Sequence, residues 1–282
     1  MPEQQADARI PASAALLIVS DVDGTLIDHD GILPLPGWEM RRWIAGHLSK
    51  RVPPAIFTLA SSRSLLELRL LQRLLDVHGP LIAEDGGILA LDEPNGDFPV
   101  ELIGREAAEL RARLGSMNTR PATPVLADMD SAALAERGFA TPASVRRAIR
   151  ARQASVLLDL DMLDDNERRA YVEQAATLGV TVKRGGRWCT AVSGADKGRA
   201  LLRLREHIAS HTGTLPYVIA IGNEENDVAL LTQADLPLVI RNPGRGHHPA
   251  LMQVQGAVPL TTTGTQGFLE MFRIIDDRSQ PS

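Results

Sequence analysis

The sequence predicts an α/β protein: a parallel sheet layered with helices, interrupted by a smaller α+β unit inserted in mid-chain. Three observations predict it. Apolar runs of strand length recur at residues 16–19, 54–60, 81–83, 217–221 and 236–240, as strands buried on both faces require. Stretches with helical spacing of apolar residues separate several of these runs, as crossovers between parallel strands must. From residue 92 to 190 the alternation gives way to Pro-, Gly- and Asn-rich loops, amphipathic helices and isolated strands, and from Asp196 it resumes.

Residues 1–13 read as a disordered tail, and residues 14–91 as the first part of the core. Its first strand ends in Asp21-Val22-Asp23-Gly24-Thr25, followed by a loop to about residue 36 and a helix over about 37–50. The second strand ends in Ser61-Ser62-Arg63-Ser64. Leucines at 65, 66, 68, 70, 71, 74 and 75, interspersed with Glu67, Arg69, Gln72 and Arg73, predict a helix over 65–77 with its apolar side on the sheet. The strand at 81–83 runs into Glu84-Asp85-Gly86-Gly87 and a hairpin arm at 88–91. The inserted unit, 92–190, carries strands at 155–160, 180–184 and 188–192. The second core part, 191–282, opens with a helix over 197–211 and a strand at 217–221. The loop Gly222-Asn223-Glu224-Glu225-Asn226-Asp227 follows, then a helix to about 234, a strand at 236–240 and a last helix over 264–275.

Composition narrows the function classes. With 282 residues the chain has room for two modest domains, and its 44% hydrophobic and 23% charged residues are ordinary globular values. A net charge of −5 without any Lys/Arg run speaks against a nucleic-acid partner. One cysteine, Cys189, excludes an internal disulfide and a Cys-based zinc site; beside Trp188 in a strand it reads as a buried side chain. No apolar stretch approaches the roughly 20 residues that span a bilayer. The first 13 residues, with Glu3, Asp7 and Arg9, lack the basic start and long apolar core of a secretory signal. The expectation is a soluble cytoplasmic protein, monomer or homodimer, without nucleic-acid or membrane partners.

Four motifs carry chemistry. Asp21 and Asp23 sit at the carboxyl end of a buried strand, where open α/β sheets place their sites. They project to the same side, so one can attack while the other handles a proton. A carboxylate is a competent nucleophile toward phosphorus once a metal neutralises the phosphate. Gly24 lets the backbone turn and Thr25 offers a hydroxyl. Ser61, with the amide of Ser62, can cradle a phosphate at a helix start, though a serine there reads equally as a plain N-cap. Lys197 begins a helix, at the end where a cation is disfavoured, which implies a fixed anion beside it unless the side chain simply faces solvent. Asn226 and Asp227 supply the oxygen ligands Mg²⁺ prefers, or cap the next helix.

In this order along one α/β chain, the motifs resemble the haloacid dehalogenase superfamily, and the insertion is similar to its second cap class. The resemblance implies a Rossmann-like haloacid dehalogenase core with a parallel sheet and an inserted α+β type-C2 cap domain. Residues 21–30, Glu84-Asp-Gly-Gly87, Gly185-Gly-Arg187, Asp196-Lys-Gly198 and Asn226-Asp227 resemble the mannosyl-3-phosphoglycerate phosphatase family, as do the cap segments Leu126-Ala-Asp-Met129 and Arg152-Gln-Ala-Ser155. The match runs from Leu16 to Phe272.

That resemblance implies a Mg²⁺-dependent sugar-phosphate phosphatase working through an aspartyl-phosphate, with mannosyl-3-phosphoglycerate as substrate. A related glycosyl phosphate (glucosyl-3-phosphoglycerate, sucrose phosphate or glucosylglycerol phosphate), a phosphomutase and an inactive sugar-phosphate sensor are the alternatives. It implies Asp21 as nucleophile and Asp23 as acid and base. Ser61, Ser62 and Lys197 would bind phosphate; Asp21, the Asp23 carbonyl, Asn223 and Asp227 would hold the metal; Arg152, Ser155 and Arg187 in the cap would bind the rest of the substrate. The chain departs from the family twice. Asn223 stands where a metal-binding Asp is usual, which keeps an oxygen ligand but removes a charge. Val156 stands where Glu usually follows the cap Ser. His29 reads as a loop side chain.

Overall fold

A computed structural model describes residues 9–11, 14–51, 53–91, 99–117, 124–136, 149, 151–184 and 188–279. The larger sheet is built from β1 (Leu16–Ser20), β2 (Ile56–Ala60), β3 (Leu81–Ala83), β4 (Ile88–Ala90), β5 (Val100–Leu102), β9 (Tyr217–Gly222), β10 (Leu236–Asn242), β11 (Gly246–His247) and β12 (Val258–Thr263). Their order is β11-β10-β9-β1-β2-β3-β4-β5, with β12 paired to β10. Strand β1 lies near the middle and is buried along its whole length. Strands β1, β2, β3, β9, β10 and β12 run parallel, whereas β4, β5 and β11 pair antiparallel.

Alternate residues of β1 serve opposite faces, as a pleated strand dictates. Leu16 and Ile18 join a core with Met40 and Ile44 of α1 (Gly37–Leu48), Leu65, Leu68 and Leu75 of α2 (Leu65–Leu75), and Phe268 and Phe272 of α8 (Thr265–Ser279). Leu17 and Val19 pack instead with Leu201, Leu204 and Ile208 of α6 (Lys197–Thr212) and with Leu230 and Leu231 of α7 (Val228–Thr232). The large sheet is therefore covered on both sides, and the loops after β1, β2, β3 and β9 open at one edge.

A second, antiparallel sheet is formed by β6 (Val156–Leu158), β7 (Thr181–Arg184) and β8 (Cys189–Val192), in the order β6-β8-β7. Its core takes Val156, Leu158, Cys189 and Ala191 together with Leu110 and Leu114 of α3 (Ala107–Gly115) and Tyr171 and Ala175 of α5 (Asp165–Thr177). Helix α4 (Ser131–Glu136) lies in the same stretch of chain. Cys189 is buried as expected, and burial raises its thiol pKa. Among the described residues, no helix is long and apolar enough to cross a membrane.

The structure corrects the sequence expectations at several points. Strand β5 falls inside 92–190 yet pairs with β4 in the large sheet, while β8 runs past 190. Expected boundaries at 91/92 and 190/191 thus do not coincide with the sheets. Ile10 lies within the stretch expected as a tail, yet it is buried and donates its N–H to the Arg278 carbonyl at 3.2 Å. The apolar spacing does not predict β11 or β12. Both are short or half-exposed, and Pro259 interrupts the apolar run that a strand reading of 258–263 would use.

Candidate active site

Asp21 and Asp23 leave β1 at the opening edge. The Asp21 N–H donates to the Ile221 carbonyl at 3.0 Å, which ties the loop to β9. The turn that follows needs Gly24: its φ is +79°, and a Cβ there would stand 2.3 Å from Asn223 Nδ2. Asp21 is buried. Burial and the Asp227 carboxylate push its pKa up to about 8, with Lys197 pulling in the opposite direction.

The anion expected beside Lys197 is a pair of carboxylates. Lys197 Nζ donates to Asp21 Oδ1 at 2.7 Å and to Asp227 Oδ1 at 2.6 Å, and its side chain is wholly buried. Burial works against that charge, but Asp21 and Asp227 outweigh it and raise the Lys197 pKa. The preceding residue, Asp196, caps α6 by accepting from the Arg199 N–H at 2.8 Å. Asp227 does not cap α7. Its Oδ2 accepts from the N–H groups of Asn223 (3.0 Å) and Glu224 (3.2 Å), folding the loop back on itself. Both Asp227 oxygens are thus engaged by the chain, so its carboxylate pins Lys197 and the loop.

Ser61 is not the helix cap either. Ser64 takes that position: its Oγ accepts from the Glu67 N–H while Glu67 Oε2 accepts from the Ser64 N–H. The buried Ser61 hydroxyl accepts from the Arg63 N–H at 3.2 Å. Arg63, to which sequence reasoning assigns no role, forks onto Asp23, with Nε 3.0 Å from Oδ2 and Nη2 2.7 Å from Oδ1. Burial opposes the Arg63 charge, but the bonds to Asp23 prevail and raise its pKa. The residue is visible in Ser61-Ser62-Arg63; its partner, 40 residues away, is not.

A cavity of about 230 Å³ opens over these loops, walled by Asp21, Asp23, Ser62, Asn223, Asn226 and Arg184, among others. His29, read from sequence as a loop side chain, also lines it. Ser61, Lys197 and Asp227 are buried and are not among its lining residues. Arg184, at the end of β7, brings a small-sheet residue to the cavity; its guanidinium is held by Asp161 at 3.0 and 3.2 Å. Asn223 is fully buried. Its Nδ2 donates to Asn242 Oδ1 at 2.9 Å and its Oδ1 accepts from Thr25 Oγ1 at 3.3 Å.

Among the described residues, no group of three or more His, Cys, Asp and Glu is placed to hold a metal ion. Asn223, which the resemblance sets where a carboxylate is usual, does not count toward such a group. The remaining donors at this edge, the Asp21 carboxylate, the Asp23 main-chain carbonyl and the Asn223 amide oxygen, are all hard oxygens of the kind Mg²⁺ takes. The residues therefore fit a Mg²⁺ ion.

Arg152 and Ser155 do not reach this cavity. Ser155 is buried and donates to Glu84 Oε2 at 2.7 Å, while Arg152 Nη1 donates to Ser155 Oγ at 2.8 Å. Both line a separate cavity of about 530 Å³, together with Arg111, Leu126, Met129 and Val156. Within it the buried Arg152 Nε has no partner among the described residues. Arg187 lies outside the described residues.

No family model matches the chain. It is 25% identical over 251 residues to a glucosyl-3-phosphoglycerate/mannosyl-3-phosphoglycerate phosphatase of Methanococcoides burtonii, covering 84% of this chain and 88% of that one. A protein of the same name from Persephonella marina is 22% identical over 277 residues, covering 93% and 98%. A solved structure from Thermoplasma acidophilum matches with a TM-score of 0.69 at 18% identity, covering 93% of this chain and 99% of that one. A haloacid dehalogenase-like hydrolase from Bacteroides thetaiotaomicron matches at 0.62 and 18%, with the same coverage. The sucrose-phosphatase of Synechocystis sp. PCC6803, solved with sucrose and phosphate, matches at 0.57 and 15%, covering 93% and 98%. Fold, motif order and relatives agree: the chain has the fold of solved haloacid dehalogenase-like hydrolases and is similar in sequence to glucosyl-3-phosphoglycerate/mannosyl-3-phosphoglycerate phosphatases, which are phosphoric monoester hydrolases.

Proposed function

We propose that the protein is a Mg²⁺-dependent phosphatase for a glycosyl-3-phosphoglycerate, with mannosyl-3-phosphoglycerate hydrolysed to mannosylglycerate and phosphate. The observation that carries this reading is the buried Asp21–Lys197–Asp227 cluster beside Asp23, at the edge where the parallel strands end. Both relatives act, by their names, on glycosyl phosphoglycerates.

In this reading an Asp21 oxygen attacks phosphorus in line as the bond to the sugar oxygen breaks, giving an aspartyl-phosphate. Asp23, held flat by the Arg63 fork, gives a proton to the leaving oxygen. It then takes one from the water that attacks the phosphoryl group and returns Asp21 as a carboxylate. Ser62, on the cavity wall, binds a phosphoryl oxygen. The buried Lys197 supplies positive charge beside the attacking Asp21, the electrostatic contribution that dominates such transfers. Ser61, given to phosphate by resemblance, is buried and does not line the cavity. Asp21, the Asp23 carbonyl and Asn223 would hold Mg²⁺, which supplies charge neutralisation between carboxylate and phosphate. Asp227 acts by fixing Lys197. Residues from about 105 to 192 form the cap, where Arg152 and Ser155 wall a cavity and Arg187 completes the set by resemblance.

Phosphate release with Mg²⁺ from mannosyl- and glucosyl-3-phosphoglycerate, sucrose phosphate and glucosylglycerol phosphate tests the reading. The highest kcat/KM is expected with the two phosphoglycerates. A preference for sucrose phosphate would reassign the substrate, and an isomerised sugar phosphate in place of free phosphate would make the protein a mutase.

Asn223→Asp is expected to have two opposed effects. The added charge lowers the Mg²⁺ concentration for half-maximal activity. Without metal, the new carboxylate oxygen faces Asn242 Oδ1 where an amide N–H now donates. Asn242 cannot simply turn its amide, because its Nδ2 already donates to the Asn223 carbonyl and to Glu224. A loss of about 1–2 kcal/mol follows for the metal-free protein. Melting temperatures with and without Mg²⁺ check both effects: the Mg²⁺-induced rise is expected to be larger in the variant. An equal rise in both proteins would place residue 223 outside the metal site.

A further inference from the structure

We propose that Glu84 is a positioning residue that ties the cap segment 152–155 to the loop after β2, so that displacement of one is transmitted to the other. Glu84 is completely buried, and its carboxylate is spent on that segment. Oε1 accepts from the Gln153 N–H at 3.0 Å; Oε2 accepts from the Ala154 N–H at 2.9 Å and the Ser155 hydroxyl at 2.7 Å. A carboxylate suits this task because it only accepts, and all three partners donate.

The other side of the joint is main chain. The Glu84 N–H donates to the Arg63 carbonyl at 2.9 Å and the Asp85 N–H to the Ser61 carbonyl at 3.0 Å. Glu84 and Asp85 both have φ of +55°, a conformation that side-chain-bearing residues adopt only when their surroundings enforce it. Gly87 completes the wedge, since a Cβ there would stand 2.6 Å from the Ala154 Cβ. The same turn reaches the β9 loop, where Asn226 Nδ2 donates to Asp85 Oδ1 at 3.2 Å. One continuous path therefore runs from Gln153–Ser155 through Glu84 to Ser61 and Arg63, and from the Arg63 guanidinium to Asp23. Arg152 joins its far end through Ser155. The segment that resemblance gives to substrate binding is thus, at Ser155, a mount.

The tests use the full chain with Glu84→Gln and the milder Ser155→Ala. Glutamine places an N–H₂ where an acceptor is needed, so at least one of the three donors loses its partner. Amide hydrogen exchange is expected to quicken at least about tenfold across 152–156 in Glu84→Gln, and to quicken also across 61–64; Ser155→Ala moves both in the same direction by less. Faster exchange confined to 152–156, with 61–64 protected as in the parent protein, would overturn the coupling. The kinetic arm rests on the phosphatase reading: kcat/KM for mannosyl-3-phosphoglycerate relative to p-nitrophenyl phosphate is expected to fall about tenfold, through a raised KM for the larger ester. An equal loss with both esters would mean a structural role only and overturn the proposal. If the parent protein hydrolyses neither ester, the phosphatase reading fails and the exchange arm still decides the coupling. If Glu84→Gln does not fold, Ser155→Ala carries the exchange arm.

Discussion

Asp21→Asn is expected to cut phosphate release by roughly 10⁴-fold or more while leaving the fold intact, because it removes the attacking oxygen and keeps the side-chain shape. The substitution also has a pH signature, since the amide does not titrate. The parent carboxyl is raised from 3.8 to about 8, chiefly by burial and then by the Asp227 carboxylate. Between those pH values the folded state holds a proton that the unfolded chain has released. Stability from this group is therefore full below about pH 4 and is lost as pH rises toward 8. Without Mg²⁺, the variant is expected to gain on the parent protein in melting temperature from pH 5 to pH 8. Substantial residual turnover would refute Asp21 as nucleophile, and a constant difference in melting temperature would refute its raised pKa.

Lys197→Met is expected to cost about 3–5 kcal/mol of stability, because Asp21 and Asp227 both lose the cation that bridges them in a fully buried position. Activity should fall at least about 10²-fold with it. Two stranded carboxyls take up protons more readily in the folded state, so the deficit is expected to be smallest in acid and to grow as pH rises. Urea unfolding at pH 5 and pH 8 measures it. A variant within about 1 kcal/mol of the parent protein at pH 8 would show that the bridge does not bear on stability. Lys197→Arg is not expected to rescue, since the larger planar guanidinium must enter a space closed to solvent.

The alternation of buried strands and helices is legible in residue order alone, and so is the order of the loops that carry Asp21, Ser61, Lys197 and Asp227. These are local patterns. A strand buried on both faces must be apolar throughout, and a helix lying on a sheet must repeat its leucines at helical spacing, so each element announces its burial over a short stretch of chain. Half-exposed β12 and two-residue β11 give no such signal, and neither does the departure of β5 from the inserted unit to the large sheet.

What the polar groups do is settled only by packing. Lys197 is out of place at a helix start until the fold sets it 2.7 Å from an aspartate 176 positions away. Ser61 can pass for a helix cap until the helix begins at Leu65, with Ser64 in the capping position. Resemblance offers Ser155 as a substrate ligand, but Glu84, 71 positions earlier, takes its hydroxyl. Asn223 finds its partner, Asn242, at the end of the neighbouring strand. The reason is physical: hydrophobic burial is periodic and is written in spacing, whereas a hydrogen bond between distant residues depends on distance and direction, and these exist only once the chain has packed.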